Sequence, residues 1–402
     1  MSETKTVEAL VSLGDRYLGR VPAFEADRPW WAEIEATTAY LDQLLGVQTL
    51  VLRLIHADEA QTRRGGRVVY HVQAAAEPRP GVLDPTPLPE WAEIVKPHPF
   101  RASWAEVDGP RRLIEWAQEI VGPSRPAQVK TWNLSCLIRF STPDGGAWAK
   151  ANSPFCSIDA DVIRHVQQYD AQLAPGVLGM DAERRWSLLE HAPGVDCWEP
   201  DDETLRDVVG RWVTVQATID PAALRTPRML PQSVAAEVAE LLDGEACSQL
   251  PADVLAKARR LVDVLPGLVA TLESSGLPNT LVHGDFHPGN WRSDGTTRRI
   301  VDWADSYLGH PATDLHRLCG YLPPAQRELA RSTWIAAWRK HLPASDPARG
   351  LPPIAVVSRL LGAITYQRFL DNIEPDERIY HEGDPAHEIT GAVDTATELG
   401  LL

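Results

Sequence analysis

His283-Gly284-Asp285-Phe286-His287-Pro288-Gly289-Asn290 reads HGDFHPGN, and Arg299-Ile300-Val301-Asp302-Trp303 follows shortly downstream. Short apolar runs at Leu281–His283 and Arg299–Val301 predict two strands, with the turn Ser293-Asp294-Gly295 between them. Strand, loop, hairpin and strand in this order bring a carboxylate, an amide and a second carboxylate to one place. The His283/His287 spacing would suit a metal pair on a helix, but Gly284, Pro288 and Gly289 exclude a helix there. His283 is therefore read as a buried hydrogen-bonding residue, and His287 as a similar brace or a pocket residue.

Moving a phosphoryl group onto a hydroxyl needs a group that orients and deprotonates the hydroxyl, cations that neutralise the phosphates, and a clamp. Asp285 and Asn290 keep the D-x4-N spacing of the protein-kinase catalytic loop, and Asp302 stands where that fold places a metal-binding aspartate. Asp285 is the candidate base. Asn290 and Asp302 are candidate Mg2+ ligands, because hard cations take oxygen donors.

HGDFHPGN followed by IVDW resembles the aminoglycoside phosphotransferase and choline kinase-like family, small-molecule kinases with a protein kinase-like fold. The run Gly309-His310-Pro311-Ala312-Thr313-Asp314-Leu315 is similar to the family's G-x-P-x-x-D-L segment, whose aspartate braces the catalytic loop. The resemblance covers about residues 129 to 340, and the C-terminal helices more weakly. It implies an α+β, two-lobed fold with a small β-rich N-lobe and a helical C-lobe. It implies ATP and Mg2+ as cofactors and a small-molecule hydroxyl as acceptor. Lys150 fits the N-lobe lysine that grips the α- and β-phosphates, and Asp159, or else Asp161, the helix acid expected to pair with it, although the family uses glutamate. Ser135 in Thr131-Trp132-Asn133-Leu134-Ser135 would touch phosphate, and the backbones of Glu190 and Ala192 would meet adenine.

The 402 residues read as three regions. Residues 1–128 form a small accessory α+β domain, with strands at Val47–Ile55 and Arg67–Ala74 joined through His56–Gly66, and a helix around Pro110–Val121. Gly122–Pro126 reads as a linker. Residues 129–195 are the N-lobe, with strands Leu134–Ser141, Ala147–Ala151 and Trp186–Glu190, a Pro143-Asp144-Gly145-Gly146 turn, and a helix at Asp159–Ala171. Residues 196–402 are the helical C-lobe, with helices at Thr204–Ala217, Ser233–Leu242, Val254–Ser274, Ala325–His341, Pro353–Asn372 and Ala386–Leu399. The acidic run Asp371–Glu377 reads as a solvated helix end, with amine recognition as its alternative.

A net charge of −16 makes nucleic acid and anionic membranes poor partners and favours a cationic acceptor. Five scattered cysteines fit neither a disulfide framework nor a zinc site. The N-terminus shows no signal peptide and no stretch is a membrane span, so a cytoplasmic location is expected. Walker A, G-x-G-x-x-G and G-x-S-x-G patterns are missing from the sequence. The competing reading is a catalytically inactive nucleotide-binding or scaffolding protein on a kinase-like fold. Asp285, Asn290, Asp302 and Lys150 all being present argues for an enzyme.

Overall fold

The computed structural model describes residues 4–58, 63–142 and 145–402. Part of the expected His56–Gly66 connection, and Pro143-Asp144 of the expected turn, lie outside the described residues. The chain forms two compact units. The first comprises Met1–Pro154, Leu178–His191 and Asn372–Glu382; the second comprises Phe155–Val177, Ala192–Asp371 and Gly383–Leu402.

Unit 1 opens with strands β1 (Thr4–Leu13) and β2 (Arg16–Asp27), helix α1 (Glu35–Leu45) and strands β3 (Thr49–Ala57) and β4 (Arg67–Ala74). They form a sheet of order β2-β1-β4-β3 in which β1 and β4 run parallel and the other pairs antiparallel. Val7, Ala9 and Val11 of β1 meet Val68, Tyr70 and Val72 of β4 and Leu41 and Leu45 of α1 in one core. Alternate residues of β1 and β4 line this core, and Leu10 and Val69 of the opposite face pack with Ile94 in a second cluster, so the sheet is covered on both faces there. Lys5 is buried in this sheet and donates to the carbonyls of Trp30 (2.6 Å) and Trp31 (3.4 Å). That is how an ammonium is accommodated inside a core.

After a short helix, α2 (Trp91–Val95), helix α3 (Gly109–Val121) packs on a second sheet. This sheet is built from β5 (Arg125–Thr131), β6 (Ser135–Ser141), β7 (Ala147–Asn152), β8 (Val177–Asp181) and β9 (Trp186–Glu190), in the order β5-β6-β7-β9-β8. Leu113, Ile114 and Ala117 of α3 pack against Cys136, Ile138 and Phe140, Ala147, Ala149 and Ala151, and Trp186 and Leu188. Small residues at 147, 149 and 151 leave room for the helix. The expected linker is in part a strand: Arg125 and Pro126 pair with Ser141 and Phe140 at the sheet edge, where proline's missing N–H costs no ladder bond.

The segment Asn372–Glu382 is also part of unit 1, and Glu374 and Glu377 in it are buried, which corrects the reading of Asp371–Glu377 as a solvated helix end. Glu374 is buried and takes the Arg101 guanidinium through Nε (3.0 and 3.1 Å) and Nη2 (2.7 Å). Arg53, buried, donates to Asp376 at 2.9 Å and to the Ile94 carbonyl at 3.1 Å. Tyr380 joins the core beside Trp31 and Trp132, with centroids 6.0 and 5.8 Å away.

Unit 2 contains α4 (Asp159–Val166), β10 (Val195–Asp196), α5 (Asp202–Thr218), α6 (Val234–Asp243), α7 (Ala252–Glu273), β11 (Thr280–Val282), β12 (Trp291–Ser293), β13 (Arg298–Ile300), β14 (Tyr307–Gly309), α8 (Ala312–Tyr321), α9 (Pro324–His341), α10 (Leu351–Leu370) and α11 (Asp384–Glu398). The expected helix at 159–171 stops at Val166. Among the described residues no helix is long and apolar enough to cross a membrane. The strands relevant to function are the β12–β13 hairpin, with Trp291 opposite Ile300, and the pair β11–β14.

Glu377 gives this fold a pH signature. Burial pushes its carboxyl up to about 8, with Arg53 opposing and Glu374 and Asp376 adding to the rise. The unfolded chain releases this proton near pH ~4.3. Between there and pH 8 the folded state therefore holds a proton that the unfolded state has lost, so this group makes stability fall as pH rises through that window. Thermal unfolding followed by circular dichroism should show a midpoint dropping by several degrees from pH 5 to pH 8. Glu377→Gln should flatten that slope; an unchanged slope would refute the assignment.

Candidate active site

The loop after β11 is shaped by one carboxylate and one glycine. Gly284 has φ +84, and a Cβ on it would lie 2.2 Å from the Asp305 carbonyl oxygen, so no other residue fits. Asp314, in the first turn of α8, is fully buried. Its Oδ2 accepts the backbone N–H of His283 (2.9 Å), the indole N–H of Trp212 (2.8 Å) and the Gln216 amide (3.1 Å). Its Oδ1 accepts the Gly284 N–H at 3.1 Å. Burial raises this carboxyl to about 6, against the pull of those hydrogen bonds. Burial likewise pushes the His283 imidazole down to about 4, with Asp285 and Asp302 opposing. A neutral ring suits its contacts, since Nε2 donates to the Val301 carbonyl (3.1 Å) and Nδ1 accepts the Asp285 N–H (3.3 Å).

Asp285 is half-buried, with a quarter of its side chain exposed (25%), and is surrounded by donors. Arg317 reaches Oδ1 through Nε (3.0 Å) and Nη2 (2.7 Å). Asn290 Nδ2 (3.1 Å) and His287 Nε2 (3.3 Å) reach Oδ2. Burial alone would raise this carboxyl. The hydrogen bond from His287 and the charge of Arg317 outweigh burial and hold it well below the usual carboxylate range. Asn290 Nδ2 also donates to the Asp285 carbonyl at 2.9 Å, which turns its Oδ1 away from Asp285.

Asn290 and Asp302 lie at the same end of the β12–β13 hairpin, because the Val301 N–H donates to the Asn290 carbonyl at 2.9 Å. Asp302 is in the left-handed region at φ +64, a conformation that costs a residue with a Cβ and is concentrated at functional sites. The next residue, Trp303, gives its N–H to Asp159 Oδ1 at 2.8 Å. Asp159 is thus the buried first residue of α4 that anchors the chain just after Asp302. Among the described residues no group of three or more His, Cys, Asp or Glu side chains is arranged to hold a metal.

Beside Asp285 stands an aromatic wall that sequence reasoning did not single out. Trp198 stacks on His287 (5.1 Å) and His287 on Tyr321 (4.5 Å). A Cβ on Gly289 would strike the Trp198 ring at 2.2 Å, so that glycine lets the indole lie on the loop. The Arg317 guanidinium lies over Tyr321, 5.1 Å from its centroid. Trp198 is 54% exposed and Tyr321 42%, so the wall is open to solvent. A signal for Arg317 was present in the sequence: Asp314 and Arg317 are one helical turn apart on α8, so they lie along one face.

In unit 1 the ladder register places Lys150 opposite Leu137 and Ser187, and Ser135 opposite Asn152. Cross-strand partners share a face. Ser135, Asn152, Lys150 and Ser187 therefore form a buried polar row on the face opposite α3. Ser135 Oγ accepts the Trp132 indole N–H at 3.1 Å. The buried Asn133 amide, in the loop entering β6, finds no hydrogen-bond partner among the described residues at either Nδ2 or Oδ1. Glu190 ends β9 opposite Ala147, and the His191 N–H is taken by the Gly146 carbonyl at 3.1 Å. Ala192 is the first residue of the second stretch of unit 2 and is buried.

The profile of the phosphotransferase enzyme family (APH) matches residues 151–352, half of the chain, including the whole of this loop and its brace. The chain belongs to that family. This phosphotransferase has the two-part architecture, a β-sheet lobe and a helical part, of protein kinase-like folds. It is similar in fold to the choline kinase of Streptococcus pneumoniae (TM-score 0.51, 13% identity, covering 71% of this chain and 99% of that one). It is similar also to a choline kinase of Cryptosporidium parvum (0.50, 11%, 73% and 98%) and an ethanolamine kinase of Plasmodium vivax (0.50, 11%, 71% and 88%). No curated protein sequence matches. The enzyme is a small-molecule kinase.

Asp314→Ala would leave two backbone N–H groups and an indole without an acceptor in a dry interior, while the Gln216 amide keeps the Leu281 carbonyl at 2.9 Å. The expected cost is roughly 3 kcal/mol of stability, since each orphaned buried donor costs about 1–3 kcal/mol. Chemical denaturation measures it, and a loss under about 1 kcal/mol would show that the brace is dispensable.

Proposed function

We propose that this phosphotransferase uses ATP and Mg2+ to phosphorylate a hydroxyl of a small molecule, with Asp285 as the base. The observation that carries the reading is the Asp285–Asn290 contact beside Asp302, held by Asp314 beneath the loop. When bound, Mg2+-ATP supplies the phosphoryl group and the neutralising charge.

The residues present fit that cofactor. Asn290 presents its amide oxygen and Asp302 its carboxylate, the oxygen donors a hard cation takes. Asp302 and Asn290 are the proposed Mg2+ ligands. Lys150, in a polar row with Ser135, is the proposed α- and β-phosphate contact, and Ser135 a further one. The unpartnered Asn133 amide in the same loop has both a donor and an acceptor to offer the nucleotide. Glu190 and Ala192 are assigned to adenine through their backbones. Asp159 supports the nucleotide site by holding the chain after Asp302 at Trp303.

Asp285 is a weak base, ionised at all ordinary pH values. Such a base serves a loose phosphoryl transfer well, because little negative charge accumulates on the attacking oxygen before the phosphoryl group arrives. Asp285 therefore orients the hydroxyl first and receives its proton late.

With an acceptor found by screening aminoglycosides, amino sugars, sugars, amino alcohols and hydroxy acids for a mass gain of one phosphate, Asp285→Asn should lower kcat by about 100- to 10,000-fold and leave nucleotide binding intact. A loss within a few-fold would remove Asp285 as base. Asp302→Ala should weaken Mg2+-ATP binding in calorimetry; normal binding would overturn the metal assignment. A protein that binds Mg2+-ATP and modifies no acceptor would favour an inactive nucleotide-binding role.

A further inference from the structure

Asp285 cannot take up a substrate hydroxyl in the arrangement seen, because both of its oxygens are engaged. Oδ2 is met by Asn290 and His287, which are fixed by the loop itself: Asn290 also bonds the Asp285 carbonyl, and His287 Nδ1 accepts the Gly289 N–H at 3.0 Å. Among the described residues Oδ1 is held by Arg317 alone. Arg317 comes from α8 on a long side chain that is 41% exposed, so it is the donor that can leave. A guanidinium leaves a carboxylate at little cost only when a second anion receives it, since a vacated ion pair in a partly dry site forfeits its charge-assisted hydrogen bonds.

We propose that Arg317 recognises an oxyanion on the acceptor, a carboxylate in the first instance, and that this exchange frees Asp285 to bind the acceptor's hydroxyl. The inference rests on the kinase reading and names its substrate class: hydroxy acids.

The surroundings of Arg317 support an anionic ligand. The guanidinium is already seated over Tyr321, which presents it as a flat fork of donors suited to a planar carboxylate. The imidazole of His316, next in the chain, is pushed down to about 4 by burial and then by the charges of Arg359, Arg317 and Arg331. Three arginines thus act on one point of α8. Glu388 offsets one of them, pairing with Arg359 at 3.2 Å. Asp285 is the carboxylate bonded to Arg317 itself. This local charge opposes the preference for cations that the net charge of −16 suggested.

The test pairs each hydroxy acid with its neutral counterpart: glycerate with glycerol, and gluconate with sorbitol. Ethanolamine serves as the cationic probe and glycerol 3-phosphate separates phosphate from carboxylate recognition. Binding is measured by calorimetry with Mg2+ and a non-hydrolysable ATP analogue, and turnover by ADP release and product mass. At least one acid should bind and react about 10-fold better than its neutral partner. Arg317→Gln should reduce that acid's affinity by about 10- to 100-fold, as expected for charge-assisted hydrogen bonds, and should not weaken the neutral partner's, whose hydroxyl then meets an Asp285 already released from the guanidinium. Arg317→Lys should recover part of the loss, and an unchanged melting profile in both variants excludes misfolding. Preference for glycerol 3-phosphate over glycerate, still lost in Arg317→Gln, identifies the oxyanion as phosphate. Preference for ethanolamine or the neutral alcohols, failure of every acid to bind, or an equal loss on all acceptors overturns the proposal; an equal loss assigns Arg317 to the transferred phosphoryl group. Acids that bind through Arg317 without any product would refute the kinase reading and leave the anion preference standing.

Discussion

The geometry of the loop that follows β11 depends on one buried carboxylate. Asp314 gathers the backbone N–H groups of His283 and Gly284, the Trp212 indole and the Gln216 amide. The chain at this point leaves β11 and bends through a left-handed glycine, so its N–H groups have no strand or helix to satisfy them. A buried N–H without an acceptor is costly, and a side chain from another element must supply one. Asp314 does so with both oxygens and ties α5 and α8 to the loop in the same contact. The position of Asp285 is a consequence, because its own N–H is set by His283, whose other ring nitrogen reaches the carbonyl of Val301, the residue before Asp302. A chain of hydrogen bonds therefore runs from the brace to the proposed base and on to the proposed metal ligands.

Unit 1 has a different kind of keystone. Arg53 and Arg101 come from residues before position 129, whereas Glu374 and Asp376 come from the stretch between α10 and α11. A buried pair such as Arg101–Glu374 contributes modest net stability, since desolvation consumes much of the attraction, but removing one partner strands the other. Their effect is to fix which segments belong together. Tyr380, lodged with Trp31 and Trp132, adds the apolar part of the same attachment.

The C-lobe helices were legible because each carries a long 3.6-residue apolar pattern, and their ends fall within two residues of the expected ones. β4 and β9 were legible because each is a short apolar run bounded by turn residues. α8 was not, because Ala312–Tyr321 is ten residues long and carries His316 and Arg317 in its middle, which breaks the apolar pattern. β1 was missed for a related reason: Lys5 stands on the same face as Val7 and Ala9 and interrupts their run, and the burial of Lys5 and Glu8 depends on partners far away in sequence, the carbonyl of Trp30 and the guanidinium of Arg67. The acidic run 374–377 misled for the same cause. Charge in a sequence reads as exposure unless its counter-charges are near in the chain, and here they lie at Arg53 and Arg101.

The same limit explains the acceptor side of the site. HGDFHPGN states its chemistry locally, since Asp285, Asn290 and His287 contact one another within a single loop. What approaches them does not. Trp198 precedes α5 and Tyr321 ends α8, and only the fold brings both rings against His287 and within 6.0 Å of each other. The total charge is an average over the whole surface, whereas an acceptor meets the few groups within a Debye length, about 10 Å at ordinary ionic strength. Near Asp285 those groups include Arg317, and the aspartate's depressed basicity is the direct imprint of that cation and of His287. A carboxylate tuned this way has exchanged basic strength for a fixed orientation and a full set of donors. Such a site must therefore discriminate through the group that displaces a donor, and the displaceable donor is the one contributed from outside the loop.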